Sequence, residues 1–296
     1  MEKFKCIYPS EFPAALRHIS DPPKKLYIKG NPEVLNNISV AVVGTRRPSL
    51  YGRMQAEIIS DFLSKNNVTI VSGLAKGIDI LAHLQAIKNN TPTIAVLGSG
   101  LKNIYPQTHK RYIEEIAKNG AVITEYEPLE PPINFHFPER NRIIAALSEA
   151  TVVIEAPEQS GAIITAHLAV KMGKEVFAVP SDIDRHTGKG SNKLLRDGEA
   201  HPLLSPHEIL ESLNIQIQMP FGDGSAQLFD SEKQQLLPHL TDKETRIYRA
   251  LSRKSAKTID EISASTNMPA QEIMISISFM EMQSLVERYG AGFIKK

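Results

Sequence analysis

Two loops in the sequence carry the residue types and spacing that hold an anion. The first is Gly44-Thr45-Arg46-Arg47-Pro48, which closes an apolar β-branched run and leads into a helical pattern from Tyr51 to Ser64. A strand-turn-helix junction aims backbone amides and a helix N-terminus at whatever lies above the sheet, and that field favours negative charge. Arg46 and Arg47 add forked donors matched to phosphate oxygens. The second loop is Ser72-Gly73-Leu74-Ala75-Lys76-Gly77-Ile78-Asp79, where Gly73 and Gly77 allow close backbone approach and Lys76 reaches a phosphate as a point charge. Neither loop is a dinucleotide fingerprint or a Walker loop: the first offers only Gly44 and Gly52, and no Gly-Lys-Ser or Gly-Lys-Thr occurs there. Dinucleotide cofactors and ATP hydrolysis are disfavoured, and the arginine pair suits a phosphate backbone better than a nucleotide cradle. A solvated arginine pair is the plain alternative.

Further along, Phe135-His136-Phe137-Pro138-Glu139-Arg140-Asn141-Arg142 interleaves aromatic rings with basic and amide groups just before a helix, a combination suited to base stacking and phosphate contact. The competing reading pairs Arg140 with Glu139 or a distant Asp and puts Phe137 in the core. Ser160 and Gly161 open a helix that offers one more anion site, or only an N-cap. Asp79 and His83, four apart on one helix face, are expected to pair structurally. With no Ser or Cys elbow beside them they make a poor catalytic dyad, and no catalytic residue is assigned. His186 near Asp182 and Asp184 lacks a second ligand pair, so neither a metal nor another cofactor is expected.

The elements that must carry these loops alternate. Mostly apolar runs at Ser39–Val43, Val68–Ser72, Thr93–Leu97, Thr151–Glu155 and Glu175–Val179, with a less apolar one at Ala121–Glu125, are separated by segments of helical period. Strands apolar on both faces belong in a parallel sheet covered on both sides, which predicts a doubly wound, Rossmann-like α/β domain with its ligand at the strands' C-terminal ends. Met1 to Asn37, broken by Pro9, Pro13, Pro22, Pro23 and Pro32, is expected to pack as an extended arm. The first domain closes at Leu213 after a helix started by Ser205-Pro206 with Glu208, and Asn214 to Leu240, rich in Gln, Gly, Asp and Ser, reads as a linker. From Thr241 to Lys296 three helix starts follow closely, Thr241 with Glu244, Thr258 with Glu261, and Asn267-Met268-Pro269 with Glu272. Two short strands about a Gly turn, Leu285 to Ile294, complete a winged-helix pattern.

Composition narrows the classes without naming one. A net charge of +1 means that affinity for an acidic polymer must come from a local cluster. The single Cys6 cannot form an intramolecular disulfide, no run has the roughly 18 apolar residues of a membrane span, and a soluble protein of the reducing cytoplasm is expected.

Taken in order, these segments resemble the DNA-processing protein A (DprA/Smf) family from about Tyr8 to Leu213. The resemblance rests on Val43-Gly44-Thr45-Arg46, Ser72 to Asp79, Val96-Leu97-Gly98-Ser99-Gly100, Tyr105-Pro106, Phe137 to Ile144, Ser160-Gly161 with Thr165-Ala166, and Ala178-Val179-Pro180. It implies an extended Rossmann domain that binds single-stranded DNA in a positive pocket, dimerises, and loads the RecA recombinase onto DNA during natural transformation, with no catalytic activity. Gly44, Thr45 and Arg46 match the family's first loop, Ser72, Gly73 and Lys76 its second, and Arg140, Asn141 and Arg142 its basic helix start. Thr241 to Lys296 looks like the winged helix often fused to the family. The chain departs from the pattern at Pro180-Ser181, where Pro-Gly is usual, and in beginning at the arm without a helical domain ahead of it. A competing reading is a nucleotide-processing enzyme like the phosphoribohydrolases, with Glu155 or Glu158 as its acid; against it, Pro157 to Gly161 lacks the paired glycines of their loop.

Overall fold

The computed structural model describes residues 4–215, 240–252, 255–282 and 285–295, so most of the expected linker lies outside the described residues. The chain forms two compact units, divided between residues 217 and 218.

In the first unit a nine-stranded sheet has the order β1-β2-β6-β5-β4-β3-β7-β8-β9 among the described residues. The strands are β1 Lys5–Ile7, β2 Leu26–Gly30, β3 Ser39–Val43, β4 Thr69–Ser72, β5 Thr93–Val96, β6 Ala121–Thr124, β7 Ala150–Val153, β8 Glu175–Ala178 and β9 His201–Pro202. From β6 to β9 the pairing is parallel throughout, while β1 and β2 run antiparallel at one edge. The helices are α1 Ala14–Arg17, α2 Leu50–Lys65, α3 Ile78–Lys88, α4 Ile113–Asn119, α5 His136–Leu147, α6 Gly161–Lys171, α7 Lys189–Arg196 and α8 His207–Ser212. Alternation along β3 shows why both faces are apolar. Ala41 and Val43 join the cluster with Ile143, Ile144 and Ala166 of α5 and α6, and Val40 and Val42 join the cluster with Ala56, Ile59 and Ala82 of α2 and α3.

The N-terminal segment departs from the arm expected of it. It contributes β1 and β2 to the sheet, because its prolines fall between the strands, and Leu26 and Ile28 alternate inward at 0% and 1% exposure. Asp79 and His83 do not pair either. Asp79 turns back to accept from the Gly73 and Ala75 amides, while the His83 ring lies 2.7 Å from Thr93 Oγ1.

The second unit holds α9 Asp242–Ala250, α10 Ile259–Thr266 and α11 Ala270–Met282, followed by the hairpin of β10 Val286–Tyr289 and β11 Gly292–Lys295. Capping boxes form at Thr241/Glu244 and Thr258/Glu261. Asn267, expected to open the third helix, instead closes α10 in the left-handed conformation at φ 55°.

His83 makes the first unit sensitive to acid. The Thr93 hydroxyl donates to the Ile70 carbonyl, so it accepts from His83 Nδ1–H, leaving the ring neutral and fully buried. Burial, with His109 and Arg140 nearby, pushes its pKa down to about 3. The unfolded chain takes up this proton near pH 6.5 and the folded chain does not. Stability from this group is therefore complete above pH 6.5 and falls by up to about 1.4 kcal/mol per pH unit as pH drops toward 3. Urea unfolding at pH 7, 6 and 5 should show this loss, and His83→Gln should flatten the profile over that window; parallel profiles would assign the acid sensitivity elsewhere.

Candidate functional site

Both glycine-bearing loops open at the C-terminal edge of the parallel strands, and their backbones touch. Ile78 N–H donates to the Thr45 carbonyl at 3.2 Å, and Thr45 N–H donates to Glu155 O at 2.7 Å, tying the loops after β3, β4 and β7 together. The contact requires Gly77, which sits at φ +82° and whose Cβ would fall 2.2 Å from Thr45 O. Thr45 is buried, and its hydroxyl accepts from the Arg47 amide at 3.2 Å, which shapes the turn. Arg46 and Arg47 follow it out into solvent, as does Lys76 from the second loop.

Beneath the second loop lies the Arg140 guanidinium, 5% exposed. It donates to the Gly73 carbonyl at 2.8 Å, to the Val96 carbonyl and, through Nε, to Asn141 Oδ1 at 3.1 Å. Asp79 takes the amide of the same Gly73 at 3.1 Å, so the loop is held from both sides by buried, oppositely charged groups. Burial pulls the Arg140 pKa down to about 10 against the opposing charge of Asp79, leaving it protonated at neutral pH. Burial also raises the Asp79 pKa, opposed by Arg140 and the two amides. A Cβ on Gly73 would sit 2.5 Å from Arg140 Nη2, which explains why this position has no side chain.

Arg46, Gly73, Ala75, Lys76, Tyr105, Pro106, Phe137 and Arg140 line a cleft of about 70 Å³. The Arg46 guanidinium stands 5.7 Å over the Phe137 ring, and the Tyr105 and Phe137 rings lie 5.6 Å apart at 57°. Tyr105 is 46% exposed and supplies an aromatic face that was read only as part of the family pattern; its place beside Phe137 depends on the fold.

Several expected ligand residues point inward. The Ser72 hydroxyl donates to the Val42 carbonyl at 2.7 Å, and Asn141 Nδ2 to the Gly161 carbonyl at 3.0 Å. Arg142 is forked onto Glu125 at 2.6 and 2.7 Å and also reaches Asp21, and its pKa is raised as the Glu125 bonds outweigh burial. Ser160 caps α6 by accepting from Ile163 N–H at 3.4 Å. The structure brings Arg46, Gly73, Lys76 and Phe137 around one rim, with Gly44, Thr45 and Arg47 in the turn that carries Arg46. Arg140, Asn141 and Ser72 support that rim from below, and Arg142 braces α5 against the β6 end. Past β8, the Pro180-Ser181 loop is fixed by Asn192, which accepts from Ser181 N–H at 3.0 Å and donates to Ser181 O at 2.9 Å.

The family model for DNA recombination-mediator protein A matches residues 3–214. The chain belongs to that family. A DprA winged helix domain model matches residues 231–292, a span that includes α9 to α11 and β10. Protein Smf of Escherichia coli is 33% identical over 296 residues, 97% of this chain and 75% of that protein, and DNA processing protein DprA of Bacillus subtilis is 37% identical over 215 residues, 71% and 72%. Among solved structures, DprA of Streptococcus pneumoniae is 40% identical with a TM-score of 0.68, covering 71% of this chain and 74% of that one. A Helicobacter pylori DprA, described for its single-stranded DNA binding mode, is 34% identical with a TM-score of 0.66, covering 72% and 96%. The extended Rossmann-like domain and the winged helix expected from the sequence are both present in this DprA-family chain.

Structural and ligand-facing arginines should separate in a stability measurement. Arg140→Met strands Asp79 and two carbonyls in the interior and should cost about 3 kcal/mol or more of unfolding free energy. Arg46→Ala, at an exposed position, should stay within about 0.5 kcal/mol of the parent. Similar losses in urea titrations of the two variants would overturn this division.

Proposed function

We propose that this DprA-family chain is a single-stranded DNA-binding recombination mediator and not an enzyme. One observation carries the reading: Arg46 and Lys76 are exposed at the Tyr105–Phe137 cleft with exposed Arg47 next along the turn, while Asp79 and Glu155 of the adjoining loops are buried and hydrogen-bonded to backbone amides and hydroxyls. Cations beside stacking faces fit a phosphate backbone with unpaired bases. The single-stranded DNA binding named for the Helicobacter pylori relative supports the same ligand. The phosphoribohydrolase alternative loses one of its two candidate acids, since Glu155 is 1% exposed with both oxygens engaged by Ser49 and Thr187.

Loading of RecA in natural transformation and a homodimer are finer parts of the reading that follow from the family resemblance, and a cytoplasmic setting rests on the single Cys6. No helix among the described residues is long and apolar enough to cross a membrane. In the second unit, α11 occupies the place of a recognition helix yet has no Lys, Arg or His, and it exposes Met274, Ile275 and Phe279. That face suits a protein surface better than a duplex groove.

Fluorescence anisotropy with labelled oligothymidine and a matched duplex across a salt series tests the assignment. Single strands should bind preferentially, with log affinity falling against log salt by roughly 0.7 per phosphate contacted. Arg46→Ala and Lys76→Ala should each weaken binding and lower that slope, while Arg142→Ala should leave the slope unchanged. Unaltered affinity in both rim variants would remove the site from this edge. Incubation with nucleoside monophosphates should release no free base.

A further inference from the structure

The strand order reverses between β3 and β7, the point in a doubly wound sheet where a ligand phosphate sits on the N-terminus of the next helix. In this protein that position holds a carboxylate of its own. Glu155, just past β7, accepts from the Ser49 amide at 2.9 Å, from the Ser49 hydroxyl at 3.1 Å and from the Thr187 hydroxyl. Ser49 is the N-cap of α2, and its Oγ accepts in turn from Gly52 N–H at 3.1 Å.

In an ordinary capping box the carboxylate that accepts from the N-cap amide belongs to the third residue of the same helix. Here that third residue is Gly52, and a Cβ on it would lie 2.0 Å from Glu155 Oε2. The missing side chain and the carboxylate from β7 thus form two halves of one cap, delivered from a different strand. The Arg185 guanidinium also feels the Glu155 charge.

We infer that Glu155 is a specificity-determining residue: it fills the switch-point phosphate seat with an internal anion, so mononucleotides and dinucleotides are excluded there. Phosphate is left to the exposed rim of Arg46, Arg47 and Lys76. The exclusion stands on the geometry of Glu155, Ser49 and Gly52 and holds whether or not the rim binds DNA. Removing the carboxylate frees the Ser49 amide and the Ser49 and Thr187 hydroxyls at the start of a 16-residue helix, a donor set suited to a small oxyanion.

The test compares thermal melting of the full-length parent, Glu155→Ala and Glu155→Gln in inorganic phosphate and in chloride at matched ionic strength. Any phosphate effect through the rim is common to all three. Glu155→Ala should melt below the parent in chloride and gain roughly 2–4 °C more from phosphate than the parent does. Glu155→Gln, which keeps the seat occupied, should gain no more than the parent. An equal gain in parent and Glu155→Ala, or a gain in Glu155→Gln matching that of Glu155→Ala, overturns the inference. Should Glu155→Ala fail to fold in chloride, refolding in phosphate must recover soluble protein, and failure in both salts overturns it equally. Loss of oligothymidine binding in the parent would refute the DNA reading and leave this result untouched.

Discussion

The candidate site depends on a buried guanidinium. Arg140 sits under the Gly73 peptide and holds its carbonyl while Asp79 holds its amide, so the loop that presents Lys76 is fixed by two charges that are almost wholly buried. Burying one such charge is unfavourable alone; burying two of opposite sign with their hydrogen bonds satisfied is what makes the arrangement tolerable. Through Ile78 and Thr45 the constraint passes to the neighbouring turn and to the position of Arg46. A rigid, pre-shaped rim loses less entropy when it orders a flexible ligand.

The protein uses the same residue types for two purposes at one sheet edge. Arg140 and Arg142 have their donors taken by carbonyls and carboxylates, whereas Arg46 and Arg47 stand in solvent. The acids divide likewise, with Asp79 and Glu155 turned inward onto amides and hydroxyls. Arg46, Arg47 and Lys76 are therefore left exposed in these loops although the chain's net charge is only +1. Local partitioning of charge, rather than its total, creates the field that an acidic polymer would meet.

Much of the architecture was legible beforehand because hydrophobic period is a local signal. The six strands from β3 to β8, the two glycine loops and the winged-helix capping boxes at Thr241 and Thr258 all appear where spacing and cap chemistry put them. The segment before residue 37 departs from expectation because proline counts mask short runs: β1 has three residues and ends ahead of Pro9, and β2 has five between Pro23 and Pro32. Asn267 was read as a helix opener, yet Asn also tolerates the left-handed conformation that closes one. Asp79 and His83 were paired on helix spacing alone, and each instead found a partner on another element, Gly73 and Thr93.

By itself the sequence determined the doubly wound α/β class and the set of loops that gather at the strands' C-terminal ends, since these follow from periodicity and from glycines at fixed offsets, while the family came from the resemblance of its ordered motifs. Only the tertiary structure decided which charges in those loops face outward. An arginine's exposure depends on acceptors far away in the chain: Val96 and Gly73 for Arg140, Glu125 for Arg142, none of them visible in local pattern. The same holds for Glu155, whose partners are a serine 106 residues earlier and a threonine 32 residues later. Spacing fixes where a side chain begins, and long-range packing fixes what it is left free to bind.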